Sequence, residues 1–256
     1  MLRAMTQHLT LITGSSRGLG AALVAQRLLP GHTVLGMARQ TNPALQAQAA
    51  AAGIRFEQWP LDLADATVAA SRLQDWLAGL DGAAFNSATL INNAGVVGRL
   101  APLHQIPLAT LSQALRVGLE AALLLSAAFL HATCDWPGAR RVLNISSGLG
   151  RFAMAGSAAY CAAKAGMDHF SRALALEQAA LANPARVVSM APGVIDTDMQ
   201  AELRASDAAL FPDRARFVQL QADGALVSPQ VCAQRLLARL ERADFGQTVV
   251  ADIRDV

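Results

Sequence analysis

Short runs of β-branched and apolar residues recur along the chain, each followed by a longer stretch in which apolar residues return at helical spacing. The short runs fall at 9–13, 33–38, 54–59, 89–92, 141–146, 186–190 and 248–253, and the helical stretches at 19–29, 64–80, 108–133, 157–182 and 228–242. Strands alternating with helices predict an α/β fold: a single-domain, Rossmann-like, doubly wound parallel sheet of about seven strands with helices on both faces. Ser228 before Pro229 predicts a capped helix start. With no repeat, linker or composition break, residues 1–256 read as one domain. Residues 197–227, with Pro212 and Gly224, are its one irregular insertion and the expected cover of a substrate site.

Composition narrows the classes. Over 256 residues, 53% apolar, 5% aromatic and 16% charged content excludes a disordered chain and favours helices over an all-β fold. The net charge of +2 comes from 21 basic and 19 acidic residues spread along the chain, so nucleic acid and anionic membrane are not expected partners. Residues 119–130 are apolar but interrupted by Glu120 and fall short of the roughly 20 needed to span a bilayer, which predicts a buried helix. Residues 1–10 are too short and polar for a signal peptide, so a cytoplasmic protein is expected. Cys134, Cys161 and Cys232 are far apart, which predicts neither a disulfide framework nor a metal site.

The first strand runs into Thr13, Gly14, Ser15, Ser16, Arg17, Gly18, Leu19 and Gly20. Glycines there let the backbone turn tightly and approach a pyrophosphate, whose charge meets N–H groups at a helix N-terminus. The spacing is GxxxGxG and not GxGxxG, so a plain strand-to-helix turn stays open as an alternative. At the end of the second strand, where an NAD-specific site presents an acid to the ribose, Ala38 is followed by Arg39. Arg39 and Arg17 are two guanidinium partners for a 2′-phosphate, which predicts NADPH/NADP+ as the cofactor. Asp62 and Leu63 after the third strand, and Asn93, Ala94 and Gly95 after the fourth, are further cofactor candidates or simply polar strand ends.

Tyr160 and Lys164 sit one helical turn apart on one face, where an ammonium is expected to favour the phenolate and lower the tyrosine pKa. Ser147, thirteen residues before Tyr160, ends the fifth strand, from which its hydroxyl can meet the phenol. Tyr160 is the only tyrosine and Lys164 the only lysine; the other 20 basic residues are arginines.

TGSSRGLG, NNAG, NISS, YCAAK and Pro192-Gly193, in this order and spacing, resemble the short-chain dehydrogenase/reductase family over essentially the whole chain. The resemblance implies that Tyr160 protonates a carbonyl oxygen and that Ser147 polarises it. Lys164 lowers the tyrosine pKa and binds the nicotinamide ribose, and hydride comes from nicotinamide C4. It adds Tyr160, Lys164, Pro192, Gly193, Val194, Ile195 and Thr197 to the cofactor-binding set. Family members commonly carry asparagine where this chain has Gly118, so a modified proton relay is expected.

After the sixth strand, DTDMQ resembles the sepiapterin reductases and their diketone-reducing microbial relatives. By that resemblance Asp252 matches a carboxylate that anchors a pterin, or it is a solvated C-terminal acid. Ser147, Tyr160 and Asp252 form the expected substrate set, with Met199, Phe211, Phe217, Met154 and Leu149 as an apolar wall. The implied activity is NADPH-dependent reduction of a vicinal dicarbonyl. A broader ketoreductase and a non-catalytic dinucleotide-binding subunit are the alternatives. The helices at 108–133 and 157–182 resemble those through which family members pair, which implies a homodimer or tetramer.

Overall fold

The computed structural model describes residues 7–255, so most of the stretch read at 1–10 lies outside the described residues. Seven strands form one wholly parallel sheet: β1 (Gln7–Thr13), β2 (His32–Ala38), β3 (Arg55–Pro60), β4 (Phe85–Asn92), β5 (Ala139–Ile145), β6 (Arg186–Ala191) and β7 (Val250–Asp252). Their order is β3-β2-β1-β4-β5-β6-β7, so the chain reverses direction across the sheet between β1 and β4. Ligands of open parallel sheets bind beyond the strand C-termini at such a switch point. The last five residues of β1 are all buried because helices cover both faces of the sheet.

Helices α1 (Gly18–Arg27), α2 (Pro43–Ala52) and α9 (Pro229–Glu241) pack on one face. Helices α3 (Ala66–Ala78), α4 (Leu108–Leu115), α5 (Ala121–Ala132) and α6 (Ala158–Ala179) belong to the other. Side chains alternate along the strands to supply both layers: Leu9, Leu11, Leu35 and Met37 face α3 and α5, while Ile12 and Val34 face α1 and α9. Ser228 caps α9 as expected, its Oγ accepting from the Val231 amide at 3.3 Å with Pro229 in the first turn. Asn42 caps α2 in the same way and also donates to the Ser16 carbonyl at 2.9 Å, tying α2 to the glycine loop.

Three expectations change. Helix α2 was absent from the sequence reading, and 108–133 is not one regular helix: a π-helical turn, Arg116–Glu120, joins α4 to α5. From Leu108 to Ala132 this helix has 25 residues and is long and apolar enough to cross a membrane, but half of its most apolar stretch is buried inside the fold. Residues 197–227 are also more ordered than expected, carrying α7 (Asp198–Ala205) and α8 (Arg214–Ala222). The segment leaves and rejoins the fold at one place, where Ile195 bridges Val227 and the Asp196 amide donates to the Val227 carbonyl at 2.9 Å.

Candidate active site

The strand C-termini open into one cleft of about 1230 Å³. That exceeds the roughly 300–1,000 Å³ of a drug-sized site and leaves room for a dinucleotide beside a second ligand. Gly14, Ser16, Arg17, Gly18, Leu19 and Gly20 line one end. A Cβ on Gly20 would lie 2.0 Å from the Gly14 carbonyl oxygen, so the chain folds this tightly only with glycine there. The loop then ends at the α1 N-terminus, whose free N–H groups suit a phosphate. Asn93 holds the loop from β4: its side chain donates to the carbonyls of Thr13 (2.9 Å) and Gly14 (3.3 Å). Thr13 returns the tie, its Oγ1 accepting from the amides of Asn93 and Ala94, both at 2.9 Å.

Ser15 departs from expectation. It is buried and does not border the cleft, because its side chain fills the gap over Gly36 of β2, where a Cβ would meet its Oγ at 2.6 Å. The remaining cofactor candidates all border the cleft: Ala38, Arg39, Asp62, Leu63, Asn93, Ala94, Gly95, Tyr160, Lys164, Pro192, Gly193, Val194, Ile195 and Thr197. Arg39 stands exposed at the rim with no ion-pair partner among the described residues. Arg17 reaches Asp198 at 2.8 Å, linking the glycine loop to the first residue of α7.

Midway along the cleft, Ser147 follows β5 in extended backbone and Tyr160 and Lys164 project from the first turns of α6. Lys164 is 3% exposed, and its Nζ donates to the Ile145 carbonyl at 2.7 Å and lies 5.7 Å from the centre of the Tyr160 ring. Burial lowers its pKa to about 8, against the favourable charge of Asp168. The tyrosine runs opposite to expectation: burial raises its pKa, and the nearby Ser147 hydroxyl only partly offsets this. In the protein alone the ammonium is committed to a backbone carbonyl, and desolvation of the phenol wins.

Asp168, one turn beyond Lys164, is the residue that motif reading missed. It is 2% exposed, and its Oδ1 accepts from the hydroxyls of Ser146 and Ser189, each at 2.6 Å. Arg151 approaches Oδ2 at 3.4 Å and donates its Nη2 to the Ala251 carbonyl at 2.9 Å. One carboxylate therefore joins the ends of β5 and β6 to α6 and, through Arg151, to β7. Tyr160, Lys164 and Asp168 repeat at four-residue spacing, and that repeat is the signal by which the sequence could have revealed it.

Gly118 lies buried in the π-helical turn, where a Cβ would press to 3.1 Å from Ala163 of α6. The missing side chain thus lets α6 approach closely beside Tyr160 and Lys164.

One wall of the cleft is apolar. Leu149, Met154, Met199 and Phe217 border it as expected, joined by Val97 and Leu203. Phe211 does not: it is wholly buried, stacked on Phe217 with ring centres 5.7 Å apart, and forms the core of the 197–227 segment. Asp252 reaches the cleft but is not solvated. It is 5% exposed and held by Arg254, whose hydrogen bonds are the main cause of its lowered pKa.

A glycine-lined phosphate cradle at the switch point of a parallel sheet, with serine, tyrosine and lysine beyond it, defines a dinucleotide-dependent oxidoreductase site. The family model described as short chain dehydrogenase matches residues 8–208, and this chain belongs to that family. It is 33% identical to "Benzil reductase ((S)-benzoin forming)" of Bacillus cereus over 243 residues, 95% of this chain and 98% of that one. It is 32% identical to sepiapterin reductase of Rattus norvegicus over 268 residues, 96% of this chain and 95% of that one. Among solved structures, a metagenomic short-chain oxidoreductase in complex with NADP superposes with a TM-score of 0.71 at 26% identity, covering 98% of this chain and 96% of that one.

Proposed function

We propose that this protein is an NADPH-dependent carbonyl reductase that reduces one ketone of a vicinal dicarbonyl. The observation that carries the reading is the meeting of Ser147, Tyr160 and Lys164 between a phosphate cradle and an apolar pocket. The names of the benzil and sepiapterin reductases support the substrate class.

When bound, NADPH supplies a hydride from nicotinamide C4 to the carbonyl carbon. The chain's own groups handle the oxygen: Ser147 donates a hydrogen bond that polarises it, and Tyr160 delivers the proton that completes the alcohol. Lys164 holds its positive charge below the phenol and stabilises the phenolate left behind. Gly14, Ser16, Arg17, Gly18 and Leu19 are assigned to the pyrophosphate and Arg39 to the 2′-phosphate. Asp62 and Leu63 fall to the adenine end, and Asn93, Ala94, Gly95 and the Pro192–Thr197 stretch line the nicotinamide half. Residues 197–227 cover the substrate.

A diketone suits the pocket better than a pterin. An aminopyrimidinone needs a free carboxylate to accept its paired N–H groups, and Asp252 is already bound on both oxygens. The exposed Leu123 and Leu176, on α5 and α6, support pairing of two copies through these helices; light scattering at micromolar concentration tests it, a monomer refuting it.

The deciding experiment follows NADPH oxidation with benzil and with sepiapterin, using Tyr160→Phe as the blank. Benzil turnover that disappears in Tyr160→Phe while NADPH still binds is the expected result. Absence of turnover with any dicarbonyl overturns the reading.

A further inference from the structure

At the end of the sheet the cleft meets a matched pair whose two members are placed unequally. Asp252 closes β7, and Arg254, two residues on, lies in the turn that follows, where the Asp255 amide donates to the Asp252 carbonyl at 3.1 Å. The arginine side chain is 64% exposed and the aspartate side chain 6%. Asp252 Oδ1 accepts from the Arg254 amide at 3.0 Å and from its Nε at 2.8 Å, and Oδ2 accepts from Nη2 at 2.6 Å. The carboxylate is thus saturated along the edge that faces Arg254, whereas the guanidinium, with five N–H groups, keeps its Nη1 pair and one Nη2 hydrogen unspent on Asp252. The arginine stem runs beside Gly193, with Cδ 3.8 Å from where a glycine Cβ would stand, and both Asp252 and Arg254 border the cleft.

What faces a substrate at this end is therefore a set of N–H donors held in a fixed plane by a buried anion. A planar guanidinium fixed in this way suits an oxygen acceptor and repels a donor such as an amine.

Resting on the carbonyl-reductase reading, we propose that Arg254 determines specificity by binding a second oxygen acceptor carried by the carbonyl substrate, and that Asp252 positions it for this. Carbonyl compounds with an adjacent carboxylate bind most strongly, because the hydrogen bonds are then charge-assisted at both ends. Those with a second ketone oxygen follow, and simple monoketones come last.

The test compares 2-oxo-2-phenylacetate, 1-phenylpropane-1,2-dione and acetophenone. Each is titrated calorimetrically into the NADP+-loaded enzyme and assayed for kcat/KM with NADPH, in the wild type, Arg254→Met, Arg254→Lys and Asp252→Asn. Arg254→Met is expected to weaken 2-oxo-2-phenylacetate by about tenfold or more, the loss of a charge-assisted pair. The dione falls by less, so both ratios to acetophenone drop. Arg254→Lys restores part of the oxo-acid ratio through its charge alone, and Asp252→Asn gives an intermediate loss because the guanidinium is no longer held. Ratios unchanged in Arg254→Met, or no binding of the oxo acid by the wild type, overturn the proposal. If the oxo acid binds through Arg254 but no carbonyl is reduced, the acceptor site stands and the reductase reading falls. If carbonyls are reduced with ratios indifferent to Arg254, the reverse holds.

Discussion

Ser146 donates its hydroxyl to Asp168 at 2.6 Å, so the residue beside Ser147 is fastened to the helix that carries Tyr160 and Lys164. The same carboxylate raises the pKa of Lys164, against the stronger lowering by burial. Asp168→Asn keeps an oxygen for the two serine hydroxyls and removes the charge. The lysine pKa then falls further below about 8, so a reaction that needs the ammonium loses rate at lower pH. The alkaline limb of the kcat/KM profile is expected to move to lower pH with the thermal midpoint little changed. A limb that stays in place would show that Asp168 is only structural.

On the proposed NADPH reading, Arg39 and Arg17 divide the binding of the 2′-phosphate unequally. Arg39 has no ion-pair partner among the described residues, and Arg39→Ala is expected to raise the KM for NADPH by about tenfold or more while leaving NADH nearly unaffected. Arg17 spends its charge on Asp198 in an exposed pair of the kind worth at most about 1 kcal/mol. Asp198→Asn releases it, and the NADPH preference is expected to rise a few-fold. Steady-state kinetics with both cofactors read both changes, and equal KM shifts for the two cofactors would refute the 2′-phosphate assignment.

Gly118→Asn is expected to harm the enzyme and not repair a relay. The new side chain begins 3.1 Å from Ala163 Cβ, so α6, which also carries Tyr160, must give way by a few tenths of an ångström. Overpacking of this kind costs about 1–3 kcal/mol. A lowered thermal midpoint together with a lowered kcat is the expected outcome. A gain in kcat at unchanged stability would instead show that the wider turn tolerates the amide and that proton delivery limits the natural enzyme.

Away from the cleft, His8 and His32 lie with ring centres 5.0 Å apart, near Arg27 and Glu241. Burial, then Arg27 and His8, lower the His32 pKa from 6.5 to about 4. Between those values the unfolded chain binds a proton that the folded chain refuses, so stability is lost as pH falls from 6.5 towards 4. His32→Gln removes one such proton, and its thermal midpoint is expected to fall less steeply over that range. Parallel curves for the two proteins would exclude His32 as a source of acid sensitivity.

The strands and the grouping of Tyr160 with Lys164 were legible because both rest on short-range regularities. Buried parallel strands leave apolar runs such as those ending at Thr13 and Ala38, and four-residue spacing placed Tyr160 over Lys164. Helix α2 was hidden because it buries only Leu45 and Ala49 and leaves no apolar stripe to read. Helix α8 buries nothing fully, and α7 only Gln200 and Leu203. The π-helical turn is a shift in backbone hydrogen bonding with no side-chain signature, and Gly118 points to it only once Ala163 is known to be opposite. Asp168, Arg151 and Arg254 read as ordinary surface charges. Their roles follow from which strand ends meet α6, a relationship between distant parts of the chain that local pattern does not contain.

The lone lysine gives this protein a chemical address. Every other basic side chain apart from the histidines is an arginine, so the single ε-amine of the sequence is the 3%-exposed one at the floor of the cleft. A side chain with its pKa near 8 is part neutral amine at mildly alkaline pH, and so nucleophilic where ordinary lysines are not. A slim acylating reagent would therefore mark Lys164 without touching any other side-chain amine, and a bound dinucleotide would shield it. The extent of labelling then counts empty clefts directly, and the protected fraction the filled ones, on a protein whose sequence offers such reagents no competing lysine.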